Sequence, residues 1–90
     1  MEFEWDEKKN HVNQQKHGVS FVEAITVFND PRAVSSTDDD HTLDEERFLT
    51  FGYSHRQRIL AVAHTDRDGS IRMISARPAT PSERRNYEQS

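Results

Sequence analysis

Residues 47 to 78 place the tightest constraint on the fold. Three runs rich in β-branched and aromatic residues, "RFLTFGYS", "QRILAVAHT" and "SIRMISARPA", are separated only by short turn signals at His55-Arg56 and "DRDG". Such runs read as strands, and their spacing predicts a three-stranded antiparallel meander. A two-residue turn at His55-Arg56 sets Tyr53 opposite Arg58, Phe51 opposite Leu60, Leu49 opposite Val62 and Arg47 opposite His64. A four-residue loop at Asp66 to Gly69 continues these rows to Ile71 beside His64, Met73 beside Val62, Ser75 beside Leu60 and Arg77 beside Arg58. One face then carries Leu49, Phe51, Leu60, Val62, Ile71 and Met73. The other, built from smaller groups such as Ala61, Ala63 and Ala76 together with Arg72, is left for a partner. A slip of one residue in either turn exchanges the two faces.

Upstream, "FEW" at residues 3 to 5 predicts a short extended start, after which Asp6 caps a helix beginning Glu7-Lys8-Lys9. That helix has little apolar periodicity, so its docking is expected to depend on Phe3, Trp5 and Val12. Gly18 ends it in the left-handed region. Ser20 and Glu23 form a capping box for the next helix, where Phe21, Ala24, Ile25 and Phe28 recur at helical spacing. Asn29-Asp30-Pro31 stops this helix, "RAVSS" predicts a short edge strand, and the acidic segment that follows predicts a loop. A short polar helix closes the chain, with Thr80 as N-cap, Pro81 at N1 and Glu83 at N3.

Ninety residues with no linker and no internal repeat predict a single domain over 1–90. An apolar fraction of 32% limits what the core can bury, a weak indication that a bound partner contributes to stability. The absence of cysteine excludes a disulfide framework and zinc ribbons. No apolar run approaches the ~20 residues needed to span a bilayer, and the N-terminus lacks the apolar region of a signal peptide, so the expected location is the cytoplasm, away from membranes.

The net charge of −4 argues against a polyanionic partner only superficially. Six of the sixteen carboxylates lie in "SSTDDDHTLDEE", between Ser35 and Glu46; from Arg47 onward there are eight arginines against Asp66, Asp68, Glu83 and Glu88. Local potential governs whether a phosphate is attracted, so RNA remains compatible with this chain.

Metal-independent cleavage of RNA needs a group to take the 2′-hydroxyl proton, a group to protonate the leaving 5′-oxygen, and cations to stabilise the phosphorane. Histidine suits proton transfer, and the planar fork of arginine suits phosphate. His64, Arg47 and Arg77 are candidates on this ground, with Arg58 beside them. The competing interpretations are a strand-end histidine satisfied within the core and arginines that serve solubility or ion pairing. Lys16-His17 also has a plain explanation, as cations in the last turn of a helix favoured by its dipole. His11 and His17 do not share a helix face, and neither H-E-x-x-H nor EF-hand spacing occurs, so no metal or other cofactor is expected.

Taken in order, F-x-W-D at residues 3 to 6, K-H-G-V-S-F at 16 to 21, E-R-F-x-x-x-G at 46 to 52, and I-S-A-R-x-A-T followed by E-R-x-x-Y-E at 74 to 88 resemble the BrnT family of type II toxin–antitoxin toxins. The resemblance spans nearly the whole chain. It implies an α+β, RelE-like fold: an antiparallel sheet, made of the three-stranded meander plus short edge strands, packed by two N-terminal helices, with a short C-terminal helix. It implies an endoribonuclease that inhibits translation by cleaving RNA, free or ribosome-associated. A cognate BrnA-type antitoxin is the implied partner, and operator DNA would be met only through the antitoxin complex. Carried over by motif, the site candidates are Lys16, His17, Glu46, Arg47 and Arg77, with Arg84 and Tyr87 as further RNA contacts; His64 enters through the strand register instead. A catalytically inactive binding module, acting as antitoxin partner and co-repressor, is the alternative, motivated by the negative net charge and the lack of a self-sufficient triad. The segment from Ser35 to Glu46 is more acidic than an RNA-binding toxin leads one to expect.

Overall fold

The computed structural model describes residues 1–38 and 46–90; the acidic loop expected after the edge strand falls largely outside them. The elements run β1 (Glu2–Glu4), α1 (Glu7–His17), α2 (Phe21–Ile25), a 3₁₀ turn (Thr26–Asn29), β2 (Val34–Thr37), β3 (Arg47–Tyr53), β4 (Ile59–Arg67), β5 (Ser70–Pro78) and α3 (Pro81–Gln89). The five strands form one sheet in the order β1-β5-β4-β3-β2. The meander β3-β4-β5 is antiparallel as expected, β2 adds antiparallel to β3, and β1 lies parallel to the first residues of β5.

Both hairpins depart from the expected registers. Gln57 adopts a left-handed φ of 63°, and Ser54 N–H donates to Arg58 O at 2.9 Å, so three residues rather than two form the tip. Tyr53 therefore faces Ile59, and Arg47 pairs with Thr65, not His64. The left-handed glutamine is tolerated because the turn is anchored from outside: Ser54 Oγ donates to Glu23 Oε2 at 2.7 Å, and His55 N–H to Thr26 Oγ1 at 2.9 Å. The second hairpin is tighter than expected. Asp68 and Gly69, with φ of 47° and 88°, make a two-residue turn that lengthens β4 and β5 into the expected loop. A bulge between Ala63 and His64 then leaves Ile74 unmatched, so that Met73 and Ala76 both face the helices.

The slip exchanges part of the expected core. Leu60, Val62, Ile71 and Met73 do pack beneath α1 and α2, together with Val19, Phe21, Ala24, Val27 and Ala76, while Phe3, Trp5, Ile25 and Phe28 close the margin. Leu49 and Phe51 sit on the opposite face. Gly52 takes the place on β3 where the 3₁₀ turn presses closest: a Cβ there would lie 2.9 Å from Val27 Cγ1 and 3.2 Å from Asp30 Oδ2.

Helix α1 docks through amides. Val12, expected to help hold it, is 56% exposed, and the helix's buried residues are Asn10 and Asn13. Asn13 Nδ2 donates to Val19 O and to Ala76 O, both at 2.8 Å, and its Oδ1 accepts from Ala76 N–H at 3.1 Å. Asn10 Oδ1 accepts from Phe21 N–H at 2.9 Å. Since β1 pairs only with Ser70, Ile71 and Arg72, Asn13 serves as a one-residue substitute for a neighbouring strand along the rest of β5.

Candidate functional site

Strand pairing arranges the face away from α1 and α2 in rows. Arg47, Thr65, Arg72 and Glu4 form the first, Ser36, Leu49, Ala63 and Ser75 the second, and Val34, Phe51, Ala61 and Arg77 the third. Ala61, Ala63 and Thr65 give β4 a floor of short side chains with longer ones rising on either side. Among the described elements, α3 covers only one end, where Tyr87 and Ala79 pack with Ile59 and Phe51.

Arg47 and Arg77 thus share a face, two rows apart, or about 14 Å measured along the strand. Arg77 is held by Glu83 of α3 through a two-pronged ion pair, Nη1–Oε1 at 2.7 Å and Nη2–Oε2 at 3.0 Å. Glu83 Oε1 also accepts from Thr80 N–H at 2.9 Å, so the capping box that starts α3 orients the guanidinium. Hydrogen bonds from Arg77 hold the Glu83 carboxyl below its ordinary pKa, and the guanidinium is raised in turn. Among the described residues Arg47 has no such partner. Its Nε is buried without a hydrogen bond among the described residues, as is Thr65 Oγ1 beside it. Leaving a buried donor or acceptor unpaired costs about 1–3 kcal/mol. Arg72 meets Glu4 at 3.2 Å.

Lys16 and His17 end α1 and line an open groove of ≈ 290 Å³ with Lys8, Lys9, Ile74 and Ser75. Ser75 belongs both to this groove and to the second row, so the cationic end of α1 adjoins that face across the edge of β5. Glu46 is exposed immediately before β3, next to Arg47 in the chain.

The other candidates are tied into the fold. His64 lies on the helix-covered face, 3% exposed, and the expected neighbourhood of Arg47 and His64 does not exist because the three-residue turn puts them on opposite faces. Its ring packs edge-on to Phe28 and stacks with Phe48, while Nε2 meets Thr50 Oγ1 at 2.8 Å and Nδ1 meets Asp66 Oδ1 at 3.0 Å. Burial lowers its pKa, against the opposing pull of Asp66. Arg58 donates to Glu23 through Nε at 2.8 Å and Nη2 at 2.6 Å, and to Gly18 O at 2.8 Å. Tyr87 is buried and donates to Asp30; burial, then the carboxylate, pushes its pKa up to about 12. Arg84 is exposed and reaches Ala79 O at 3.3 Å.

Arg72 and Thr65 were not among the sequence candidates. The signal for Arg72 was its position between Ile71 and Met73, which sends it to the face opposite theirs; only the wrong register separated it from Arg47. Among the described residues, no cluster of three or more His, Asp or Glu is arranged to hold a metal ion.

Comparison with known proteins agrees with this architecture. The family model described as "Ribonuclease toxin, BrnT, of type II toxin-antitoxin system" matches residues 5–83. Among solved structures, the 1.1 Å crystal structure of the Brucella abortus ribonuclease toxin BrnT superposes with a TM-score of 0.64 at 24% sequence identity, covering 89% of this chain and 97% of that one. At this identity the likeness speaks for the fold alone. No curated protein matches.

Proposed function

The chain belongs to the BrnT family of ribonuclease toxins of type II toxin–antitoxin systems, and from that premise we propose that its 90 residues act as one domain, a metal-independent endoribonuclease that cuts RNA on the sheet face away from α1 and α2. The observation that carries this reading is the shared placement of Arg47 and Arg77 on a face that α1 and α2 leave uncovered, over a floor of small side chains. In the mechanism this supports, the 2′-hydroxyl attacks the adjacent phosphorus and the 5′-oxygen departs. Arg47 stabilises the extra negative charge of the phosphorane, and Arg77, two rows away, holds a phosphate further along the RNA. Lys16 adds positive potential from the neighbouring groove, and His17 and Glu46 are the groups left to move protons. His64 is assigned to the fold, since a buried ring on the covered face cannot meet substrate on the other. Arg58 and Tyr87 are assigned likewise, and exposed Arg84 remains a peripheral RNA contact.

Cleavage of RNA, free or on the ribosome, inhibits translation in the cytoplasm, and a BrnA-type antitoxin neutralises the toxin. Operator DNA is reached only through that complex. No helix among the described residues is long and apolar enough to cross a membrane. A catalytically silent antitoxin partner and co-repressor is the second reading, favoured by the engagement of Arg77 with Glu83 and by the separation of His64 from the arginines. Inducing the gene without antitoxin separates the two. Growth arrest with fragmented RNA, lost in a folded Arg77→Ala variant, is the expected result; soluble wild-type protein with unimpaired growth and intact RNA would establish the second reading.

A further inference from the structure

Arg47 Nε and Thr65 Oγ1 are buried, adjacent and unpartnered among the described residues. They belong to directly paired residues of β3 and β4, and Thr65 is paired in turn with Arg72 of β5. Thr65 is 4% exposed, so bulk water does not satisfy its hydroxyl. Two strand spacings put the Arg47 and Arg72 backbones about 10 Å apart, with the hydroxyl between them.

The chemistry of the three groups converges. Guanidinium N–H groups only donate, and a threonine hydroxyl can donate as well. Arg72 already has the Glu4 carboxylate at 3.2 Å; what Arg47 Nε and Thr65 Oγ1 lack in common is a group rich in acceptor lone pairs. Glu4 does not supply it, since it reaches Arg72 at 3.2 Å but makes no hydrogen bond to Thr65 or Arg47 Nε. A tetrahedral oxyanion fits, because its several oxygens can accept from two guanidiniums and a hydroxyl at once. We propose that Arg47, Thr65 and Arg72 form one phosphate cradle on the face away from α1 and α2. Naming its occupant as a phosphate of the RNA backbone rests on the ribonuclease reading above; free inorganic phosphate offers the same chemistry.

Thr65→Val tests the cradle without removing a charge. It keeps the side chain's shape and β-branching and deletes only the hydroxyl. An unpartnered hydroxyl contributes nothing to the fold, so the melting temperature should hold or rise. Affinity for a 2′-O-methyl oligoribonucleotide, which cannot be cleaved, should fall about tenfold. Arg72→Gln should also weaken binding and flatten the dependence of log K on log salt by about 0.7, the loss of one phosphate contact to a single strand. In wild type, inorganic phosphate should shift the NMR signals of Arg47 Nε–H and the Thr65 methyl group. A drop in melting temperature for Thr65→Val would reveal an internal partner for the hydroxyl and overturn the cradle. Unchanged oligonucleotide affinity in Thr65→Val, with wild type still cutting RNA, would overturn the cradle and leave the ribonuclease reading standing. Phosphate-induced shifts in a wild-type protein that neither binds nor cuts RNA would do the reverse, upholding an oxyanion site and removing RNA as its occupant.

Discussion

Glu23 is buried, at 2% exposure, because donors converge on it: Arg58 Nε and Nη2, and Ser54 Oγ. The hydrogen bonds from Arg58 lead in lowering its pKa below the ordinary 4.5, outweighing desolvation. Arg58→Ala strands that carboxylate and should cost roughly 2–3 kcal/mol in urea unfolding, toward the low side for a buried pair because the arginine is partly solvated. With the folded pKa depressed, the pair's contribution is complete above pH 4.5 and is lost as pH falls through the folded value. His64 acts in a higher window. Its folded pKa lies below 6.5, so the unfolded chain takes up the proton first, and stability present above pH 6.5 declines as the solution is acidified toward the folded value. Urea melts at pH 7.5 and 5.5 should therefore differ less for His64→Gln than for wild type. Both roles stood in the sequence as alternatives, a histidine satisfied within the core and an arginine that ion-pairs, but neither could be chosen there. An arginine or histidine in a strand has the same letter whether it faces RNA or a buried carboxylate, and the partners, Glu23 for Arg58 and Thr50 for His64, lie 35 and 14 residues away.

Helix α1 and the edge of β5 depend on one another through a single amide. Asn13→Ala removes three hydrogen bonds and leaves Ala76 N–H and O unpaired. The expected loss is about 2–3 kcal/mol in thermal or urea melts, while Val12→Ala, at an exposed position, should change stability by less than ~0.5 kcal/mol. The same variant bares an edge, so concentration-dependent association in sedimentation should accompany the loss. Element ends were legible: Asp6, Ser20 and Thr80 each cap a helix as their spacing suggested, and Gly18 ends α1 in the left-handed region. The box at Ser20 is only half formed, because Glu23 is drawn away to Arg58 and Ser54. The way α1 docks was not legible, since asparagine counts as polar in any periodicity and nothing local indicates that Asn10 and Asn13 point inward. The register of the first hairpin failed for a related reason. A left-handed residue is expected at glycine or asparagine, and here it is Gln57, held by contacts from α2 and the 3₁₀ turn.

Across the whole molecule the sheet separates two tasks. Class and meander were legible because they follow from local patterns. The parallel addition of β1 was not, since Phe3 and Ile71 are far apart in the chain and their pairing leaves no mark on either segment. On the covered face Leu60 is fully buried, so Leu60→Ala should cost about 2–5 kcal/mol. On the opposite face Arg77→Ala breaks a partly exposed ion pair and should cost no more than ~1 kcal/mol in the same melts, while abolishing RNA cleavage. That asymmetry bears on inheritance as well as on chemistry. Were both outcomes met, a lineage could lose the activity by changing one guanidinium and still make a well-shaped protein, and a single reversion would restore it.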